Sequence, residues 1–470
     1  MMDDRQDRMV NGLSSIVFQV VNSQTMTETT QIPPEEKLDF KRILPILVIV
    51  LVDLMGLSII IPLLPLYAAR FGADPLTVGI LQAAYPLMQF VGAPILGRLS
   101  DRFGRRPILI ASQIGTLGGF ILLGFANSMF LLFVSRIIDG LSGANISTAQ
   151  AAIADSTNEK TRTQGLGLVG AAFGVGFVLG PILAFIVLAS SGQNYQYVAW
   201  TAALFSFTSI LLTTFWFKET VADAADPEAS RKRRPFSFGA LREAMAHRPT
   251  IMFLVIVMFF YQVAFGGYEQ LFSLFTLNQL GMDARDTSGL FMLAGILIIV
   301  IQGGLIGRWS RVKGDRWLAL MGIGALAIGL IGTALTPAVP VPWYEKARVL
   351  ESLAGQGEFR VSIQSINVNL PDESLRGWFG IVWLIIASIP AALGGGTLQP
   401  AVNSLITKAS DKNEVGGMLG LSSAAYSAAN AIAPLFYGAL FQWFGPPVPF
   451  FVGGAILLVL FIFAPRVIKN

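Results

Sequence analysis

Four ionisable residues lie well inside long apolar runs of the sequence: Asp53, Arg136, Asp139 and Glu269. A charge at the centre of a lipid bilayer costs about 2.5 to 3.5 kcal/mol, so each of these side chains should face protein or a water-filled cavity. Arg136 and Asp139 are three residues apart on one helical face, where mutual neutralisation alone would explain them. A desolvated carboxyl group beside a guanidinium can also exchange protons near neutral pH. We therefore interpret the four residues as candidates for proton coupling, with Asp53 and Glu269 ranked above Asp139, which has a ready partner.

Polar and aromatic residues within the same apolar runs are candidates for binding a substrate. Each of them alone is better explained by a hydrogen bond between two helices. Together they predict a cavity near the middle of a membrane that holds an amphipathic organic molecule. The set comprises Tyr85, Gln89, Gln113, Asn145, Tyr261, Gln262, Gln302, Trp383, Gln399, Asn403, Tyr426 and Asn430.

The composition of the chain places these residues in a membrane protein. The 470 residues are 53% hydrophobic and only 13% charged, with a mean hydropathy of +0.63, whereas a soluble domain carries about 25% charged residues. The absence of cysteine excludes a disulfide framework, a thiolate metal site and a cysteine nucleophile. The net charge of +4 does not indicate nucleic-acid binding, because the basic residues lie almost wholly between the apolar runs.

Apolar stretches of about 20 residues predict twelve membrane-spanning helices in an all-α fold. The predicted spans lie near 43–67, 77–98, 107–126, 129–153, 165–189, 197–217, 250–277, 288–306, 317–336, 378–404, 416–441 and 448–465. If both ends of the chain lie on one side, that side holds 26 of the 33 Lys and Arg residues. Because cytoplasmic loops carry the excess of positive charge, both termini are predicted to be cytoplasmic.

The spans divide into two pseudo-symmetric halves of six helices. The predicted organisation is a cytoplasmic tail at 1–42, a first half at 43–217, a cytoplasmic linker at 218–249, a second half at 250–465 and a cytoplasmic end at 466–470. The linker is interpreted as a solvated connector. The alternative is that its basic cluster binds acidic lipid headgroups.

A charged motif, GRLSDRFGRRP, runs from Gly97 to Pro107 and is predicted to form a short turn on the positively charged side of the membrane. It recurs more weakly as GRWSRVKGDR at Gly307. A second pair of similar segments indicates about 42 extra residues in the second half, at about 337–377. This insertion is predicted on the external face, with a helix in WYEKARVLESLAG and a short strand in FRVSIQSINVNL. It is either a surface loop or a lid or partner-binding element.

The first copy of the motif is a candidate gate on the cytoplasmic side. Asp101 could accept hydrogen bonds from a helix N-terminus of the second half, and Arg105 could pair with Asp155. Breaking such contacts would shift an equilibrium between two conformations. The second copy has Arg311 where Asp101 stands, so the gate contact is predicted to be asymmetric. The alternative is that the charges only keep this loop on the cytoplasmic side of the membrane. The residues of the candidate gate are Gly97, Asp101, Arg102, Gly104, Arg105 and their partner Asp155.

A stripe of glycines marks the fifth predicted span. Small residues four positions apart allow two helix backbones to approach closely. Ordinary helix packing is the alternative to a specific role in transport. The stripe comprises Gly170, Gly174, Gly176 and Gly180, with Pro181 after the last.

Taken together, these motifs resemble those of the major facilitator transporters. The loop motif at Gly97, SRIIDGLSGA at Ser135 and GAAFGVGFVLGP at Gly170 each resemble a family signature. VDLMGLSIIIPLLP in the first span, IADSTNEKTR after the fourth and FWFKET after the sixth resemble the drug:proton antiporters of the tetracycline-efflux type. The resemblance implies that Arg136 is a proton-relay arginine, that Asp53 is the first-span aspartate and that the glycine stripe is an antiporter helix.

Two positions depart from the tetracycline-efflux type. Gly119 stands where those exporters have an acidic residue, and Ile298 stands where they have a histidine. These departures argue against tetracycline itself as the substrate more than against export of drug-like molecules. The sequence thus predicts proton-coupled efflux of amphipathic drug-like or metabolite substrates by alternating access. The alternative is a proton symporter or facilitator that imports a small organic solute on the same fold.

The chain is predicted not to be an enzyme. It has no GxxxxGK[ST] or HExxH motif, and its single histidine, His247, lies in the linker. We expect no cofactor and no metal, with a proton gradient as the driving force and sodium as the alternative coupling ion. The expected partners are a small-molecule substrate, protons and the lipid bilayer, without nucleic acid. The expected protein is a monomer that crosses the cell (inner or plasma) membrane many times.

Overall fold

The computed structural model describes residues 39–143, 145–157, 159–220, 249–354, 361–363, 366, 368–410 and 415–468. Within these ranges the chain is helical and contains no strand. The predictions for the tail at 1–42 and the linker at 218–249 fall almost entirely outside the described residues. Helices that begin before residue 220 are α1 (Phe40–Ser58), α2 (Leu64–Arg70), α3 (Pro75–Phe103), α4 (Arg105–Gly124), α5 (Met129–Ser142), α6 (Asn145–Asp155), α7 (Glu159–Ser190) and α8 (Tyr195–Phe215).

The later part of the chain again consists mainly of long helices, with one short helix in the insertion. They are α9 (Pro249–Leu280), α10 (Ala284–Val300), α11 (Ile306–Lys313), α12 (Asp315–Ala334), α13 (Lys346–Ala354), α14 (Phe379–Ala409), α15 (Val415–Phe444) and α16 (Val448–Val467). A π-helical turn, Ile301–Leu305, joins α10 to α11. Ten helical stretches in the described part of the chain are long and apolar enough to cross a membrane. The protein is therefore a multi-pass membrane protein.

Two predicted spans are interrupted by local sequence. The first, near 43–67, breaks between α1 and α2, where Pro62 and Pro65 cannot donate the backbone hydrogen bonds of a continuous helix. The fourth, near 129–153, breaks at Gly143, which ends α5. At the second break, side chains replace helix hydrogen bonds: Gln89 donates to Gly143 O at 2.7 Å and Ser112 donates to Ser142 O. The break at Gly143 lies beside the buried charges described below.

The charged motif is helical almost throughout, which corrects the prediction that Gly97 to Pro107 forms a turn. Gly97 lies within α3, and the only break before α4 is Gly104, with φ +99° and ψ 155°. Gly314 separates α11 from α12 in the same conformation, with φ +83° and ψ 160°. This region of backbone space is accessible almost only to glycine. The two copies of the motif therefore share one backbone geometry, 210 residues apart.

The insertion packs against the end of α9. The amide of Val341 donates to Leu280 O at 3.0 Å, and the Tyr344 hydroxyl donates to Pro371 O at 3.0 Å. The predicted helix is present as α13. The predicted strand is wrong for the described residues of that stretch. They form no strand and are irregular apart from Ile363, which is helical. Contacts between α13 and α2 bring the insertion onto the first half of the chain.

The early and late helices touch at the insertion end of the molecule. Gly79 of α3 packs against Pro434 of α15, and the Gln82 amide donates to Gln270 O at 3.0 Å. These contacts close the molecule toward the insertion.

Replacing Gly104 or Gly314 with alanine should lower the melting temperature of the purified protein. Each change forces a side chain into a glycine-only conformation, at a cost of about 1 to 3 kcal/mol. Gly104→Ala should be the worse of the two, because its Cβ would lie 2.6 Å from Glu219 Oε2. Gly97→Ala is the matched control, since Gly97 is helical and its Cβ would meet no described atom within 4 Å. Melting of Gly104→Ala at the wild-type temperature would contradict the assignment of the turn.

Candidate functional site

Asp53 of α1 is held by a side chain from α6. The Asn145 amide donates to Asp53 Oδ2, and Ser209 of α8 is a further hydrogen-bonding neighbour of this carboxylate. Gln113 of α4 donates to Ser209 Oγ at 2.7 Å. Four helices thus meet around one carboxylate. Gln113 is fully buried in this network, which makes it a positioning residue for Ser209 rather than a contact surface for a substrate.

Arg136 and Asp139 form a buried ion pair within α5. Arg136 Nη1 lies 3.1 Å from Asp139 Oδ2, and both side chains are almost completely buried. The guanidinium also lies 5.6 Å from the centre of the Phe120 ring, a cation–π contact. The i, i+3 pairing predicted from the spacing is therefore present. Thr116 of α4 is a hydrogen-bonding neighbour of Asp139.

Gly119 of α4 packs directly against the ion pair. A Cβ built on Gly119 would lie 2.9 Å from Asp139 Cβ and 3.0 Å from Ser135 O. Any side chain at position 119 would therefore displace α5. The acidic residue that the resemblance would place at position 119 is absent, and the neighbouring helix supplies a carboxylate at the same point.

Asp53 and Asp139 border one small cavity. It has a volume of about 30 Å³, which is room for about one water molecule. Tyr85, Thr116 and Asn145 contribute polar groups to its wall. The structure thus places two carboxylates from different helices in the wall of one cavity with room for about one water molecule.

Glu269 lies apart from this cluster, in α9. It is half-buried, and none of the described contacts gives it an ion pair or a hydrogen bond. Its electrostatic neighbours include Tyr261, Tyr268 and Tyr426. Tyr261 stacks on Phe265 with ring centres 5.7 Å apart. A carboxylate among aromatic rings can bind a cation by charge and by cation–π contact.

Several predicted pocket residues join helices. The Tyr261 hydroxyl donates to Gly395 O at 2.9 Å, Gln262 donates to Asn430 Oδ1 at 2.9 Å, and Trp383 donates to Gly332 O at 2.8 Å. Gln89 donates to Gly143 O at 2.7 Å and to the Tyr85 hydroxyl at 3.2 Å. Gln302 is exposed, and the partly exposed members of the set are Tyr85, Gln89, Trp383, Gln399, Asn403, Tyr426 and Asn430.

The charged motif forms a network around Arg105. Its Nε donates to Asp155 Oδ2 at 2.9 Å, which is the predicted pairing, and its Nη1 lies 2.6 Å from Asp101 Oδ1. Nη1 also donates to Ser100 Oγ at 2.7 Å. Asp101 thus contacts Arg105 in this structure, rather than the second-half helix that we expected. Arg102 is exposed and lies over the Phe103 ring.

Glu219 completes this network and was not predicted as a site residue. Its carboxylate accepts hydrogen bonds from the amide of Arg105 at 2.9 Å and of Arg106 at 3.0 Å. These are the first two residues of α4, where free amides and the helix dipole favour a negative charge. Only the position of Glu219 just after the sixth span could have suggested this contact.

The second copy of the motif carries an ion pair of opposite polarity. Asp315, 210 residues after Arg105, lies 2.6 Å from Lys408 Nζ. It also accepts hydrogen bonds from Ser310 and Ser404, and Ser310 matches Ser100 of the first copy. The second half thus has an ion pair at the equivalent place, and its charges and partners differ from those of the first half. Asp315 was not predicted as a site residue, although it follows Arg105 by the repeat spacing of 210 residues.

The glycine stripe lies along the contact of α7 with α1. A Cβ built on Gly176 would lie 2.7 Å from Leu54 Cβ, and one on Gly180 would lie 2.6 Å from Ile59 N. The Ser58 hydroxyl donates to Gly176 O at 2.8 Å. On another face, Gly174 lies against Gln302 of the π-helical turn. Gly170 has no such close neighbour, and Pro181 lies within the helix.

Comparisons with known proteins agree with this architecture. The sequence model of the Major Facilitator Superfamily matches residues 46–377 and 374–470. The class B tetracycline resistance protein of Escherichia coli is 27% identical over 406 residues, covering 84% of this chain and 87% of that protein. The class D protein of Salmonella ordonez is 31% identical over 327 residues, covering 68% and 79%. Multidrug resistance protein 2 of Bacillus subtilis (strain 168) is 26% identical over 289 residues, covering 61% and 71%.

Solved structures show the same fold. The human organic anion transporter MFSD10 (TETRAN) has a TM-score of 0.59 at 21% identity and covers 90% of this chain and 99% of its own. A point mutant of the nucleoside transporter NupG has a TM-score of 0.67 at 11% identity and covers 91% and 100%. At these identities the likeness concerns the fold alone.

The buried pair Arg105–Asp155 should couple more strongly than an exposed pair of similar geometry. A double-mutant cycle of Arg105→Gln and Asp155→Asn should give a coupling free energy of roughly 1.5 to 3 kcal/mol. The reference is Arg376–Glu373, whose atoms lie 3.0 Å apart with 36% and 41% of the side chains exposed; it should give about 0.5 kcal/mol. Unfolding of the purified variants measures both. Equal coupling in the two pairs would contradict the network.

Proposed function

Because the chain belongs to the Major Facilitator Superfamily, and is thus a transporter rather than an enzyme, we propose that it exports amphipathic molecules in exchange for protons. The observation that carries the proposal is the water-sized cavity between Asp53 and Asp139, with Arg136 beside it. Resistance and multidrug relatives support export over import. No observation favours the alternative of a symporter or facilitator that imports a solute.

We propose an arrangement of twelve membrane-spanning helices in two halves. The ten apolar stretches would be completed by α1 and α15. The distribution of Lys and Arg supports cytoplasmic termini and a cytoplasmic linker, in the cell (inner or plasma) membrane. The proposed protein works as a monomer without a cofactor.

Proton coupling in this proposal depends on the uptake and release of protons by two carboxylates, those of Asp53 and Asp139. Asp139 is paired with Arg136, whereas the described partners of Asp53, Asn145 and Ser209, are neutral. A proton that reaches Asp53 can pass to Asp139 through one water in the cavity. Rearrangement of α1 against α7 along Gly176 and Gly180 would expose Asp53 to one side and then to the other. Alternating access then couples this exposure to movement of the substrate.

The gate in this proposal is the network around Arg105 with its counterpart at Asp315. Both lie at the end of the molecule that the proposal places on the cytoplasmic side. When that end closes, Asp101 would leave Arg105 and accept from a second-half helix. The expected effect of Asp101→Asn is therefore slower transport by protein that still reaches the membrane.

The substrate class follows from Glu269. A partly accessible carboxylate among tyrosines would favour an amphipathic cation. Tetracycline is a weaker candidate, because Gly119 and Ile298 replace the acidic residue and the histidine of the tetracycline-efflux type. Ile298 lies against Gly396 of α14 and presents only an apolar surface there.

Asp53→Asn should abolish accumulation of a cationic dye in everted membrane vesicles with an imposed pH gradient. An amide cannot take up and release a proton near neutral pH, so the loss should be at least about tenfold. Glu351→Gln is the matched control, since Glu351 is an exposed carboxylate on α13, and it should accumulate dye as the wild type does. Normal accumulation and pH dependence in Asp53→Asn would overturn the assignment.

Glu269→Gln should impair the transport of cationic substrates more than the transport of neutral ones. Loss of the carboxylate should weaken transport of ethidium by about tenfold, equivalent to about 1.4 kcal/mol, and leave neutral substrates of similar size much less affected. Competition among a cationic, a neutral and an anionic dye in the same vesicles measures this selectivity. An equal loss for all three would show that Glu269 has another role.

A further inference from the structure

Residues 337–354 of the insertion form a strap that runs from the end of α12 to the end of α13. The sequence left two interpretations of the insertion open, a surface loop or a lid or partner-binding element. The strap lies at the end of the molecule where the early and late helices touch. The proposed transport cycle does not use it. Its contacts with each half therefore decide what it can do.

Hydrogen bonds fix the base of the strap to the second half. The amide of Val341 donates to Leu280 O at 3.0 Å, at the end of α9. The amide of Gly377, shortly before α14, donates to Pro340 O at 2.8 Å. The buried Tyr344 ring packs directly against the glycine that follows α9. The base is thus joined to second-half helices on both sides of the insertion and should move with them.

The far end of the strap packs on the first half, because α13 contacts α2. The helix α13 is amphipathic: Val349 and Leu353 are buried, whereas Lys346 and Glu351 are exposed. The two buried residues belong to the same hydrophobic core as Leu64 of α2. Apolar packing is non-directional. A contact of this kind can therefore separate and re-form without a fixed set of hydrogen bonds.

The helix α2 is itself held by the first half. The Tyr67 hydroxyl donates to Ala126 O at 2.8 Å and to Leu123 O at 3.3 Å, beside the end of α4. The Tyr67 ring meets Tyr195 of α8 edge to face, with ring centres 5.6 Å apart. Because α2 also contacts α9, α13 lies over a boundary at which the two halves already meet. The strap spans that boundary.

A polar contact between the halves lies next to the base of the strap. Trp343 donates from Nε1 to Asp286 Oδ2 at 2.9 Å, in the first turn of α10. The amide of Asp286 donates to Asp283 Oδ1 at 2.9 Å. Asp283 in turn accepts a hydrogen bond from Gln193, which lies between α7 and α8 of the first half. Trp343 thus orders the turn through which the second half binds the first.

We propose that the strap holds the external side of the transporter closed. Opening that side requires the halves to separate there, which exposes the apolar face of α13 to water and breaks the contact of Asp283 with Gln193. Burial of the apolar face therefore favours the externally closed conformation. The proposal rests on the alternating access of the proposed function, but not on its proton coupling, its substrate or its direction of transport.

Distances between two spin labels on the purified full-length protein test the proposal. They are measured by double electron–electron resonance in nanodiscs, without substrate or pH gradient. The chain has no cysteine, so labels attach only to Asn127→Cys in the first half and Gln442→Cys in the second, both exposed. Leu353→Ala should raise the ratio of externally open to externally closed molecules by about tenfold, because less apolar surface of α13 is buried in the closed form. Trp343→Phe should shift the ratio in the same direction from the base of the strap.

Two control variants separate the strap contact from a general effect on α13. Glu351→Ala introduces the same residue on the exposed face of the helix and should leave the distances unchanged. Leu353→Met conserves the apolar volume and should stay close to the wild type. The melting temperature of each variant shows that it is folded, and Trp343→Phe keeps the test decisive if Leu353→Ala does not fold.

Three results would overturn the proposal. The first is the wild-type distance distribution in the folded Leu353→Ala and Trp343→Phe variants, and the second is an equal shift in Glu351→Ala. The third uses labels at Glu351→Cys and Asn127→Cys: a distance that stays constant as the external side opens would show that α13 remains on α2. These distances are read without dye or proton movement. Loss of proton-coupled transport would therefore contradict the proposed function and not the strap.

Discussion

Charge that enters a membrane has to be neutralised by protein or solvated by water, and this constraint organises the interior of the molecule. Arg136 and Asp139 satisfy it as an ion pair within one helix. Asp53 satisfies it with an amide from α6 and a hydroxyl group from α8. Glu269 has no comparable partner among the described residues. In the proposed function, the substrate supplies the charge that neutralises it.

The same constraint explains how an internal repeat can keep its geometry and reverse its charges. A positive residue at the start of a helix opposes the helix dipole. Arg105 occupies that position in α4, and Asp101, Asp155 and Glu219 compensate for it. Asp315 at the start of α12 complements the dipole directly and needs only one cationic partner. The two copies share the turn at the glycine and the serine one helical turn before it. The charges of the ion-paired residues differ between the copies.

Local periodicity was sufficient to predict much of the fold, because long apolar runs, glycine turns and i, i+3 pairs depend on neighbouring residues. The helix α13 and the pair Arg136–Asp139 were predicted on this basis and are present. The pairing of Arg105 with Asp155 was also predicted, but from a family motif. The contacts of Asp53 with Asn145 and of Glu219 with α4 join residues about 90 and 114 positions apart, and no local pattern reports them. The pair Asp315–Lys408 joins residues 93 positions apart with charges opposite to those of Arg105 and Asp155, so comparing the two copies of the motif did not predict it.

Antiport requires that substrate and protons move in opposite directions and that neither moves without the other. Purified protein in liposomes with a pH-sensitive dye inside measures this directly, with the membrane potential clamped at zero by potassium and valinomycin. A gradient of ethidium alone should then drive protons the other way, and Asp53→Asn should eliminate this proton movement. Ethidium transport by the wild type without proton movement, or with protons moving in the same direction, would contradict antiport.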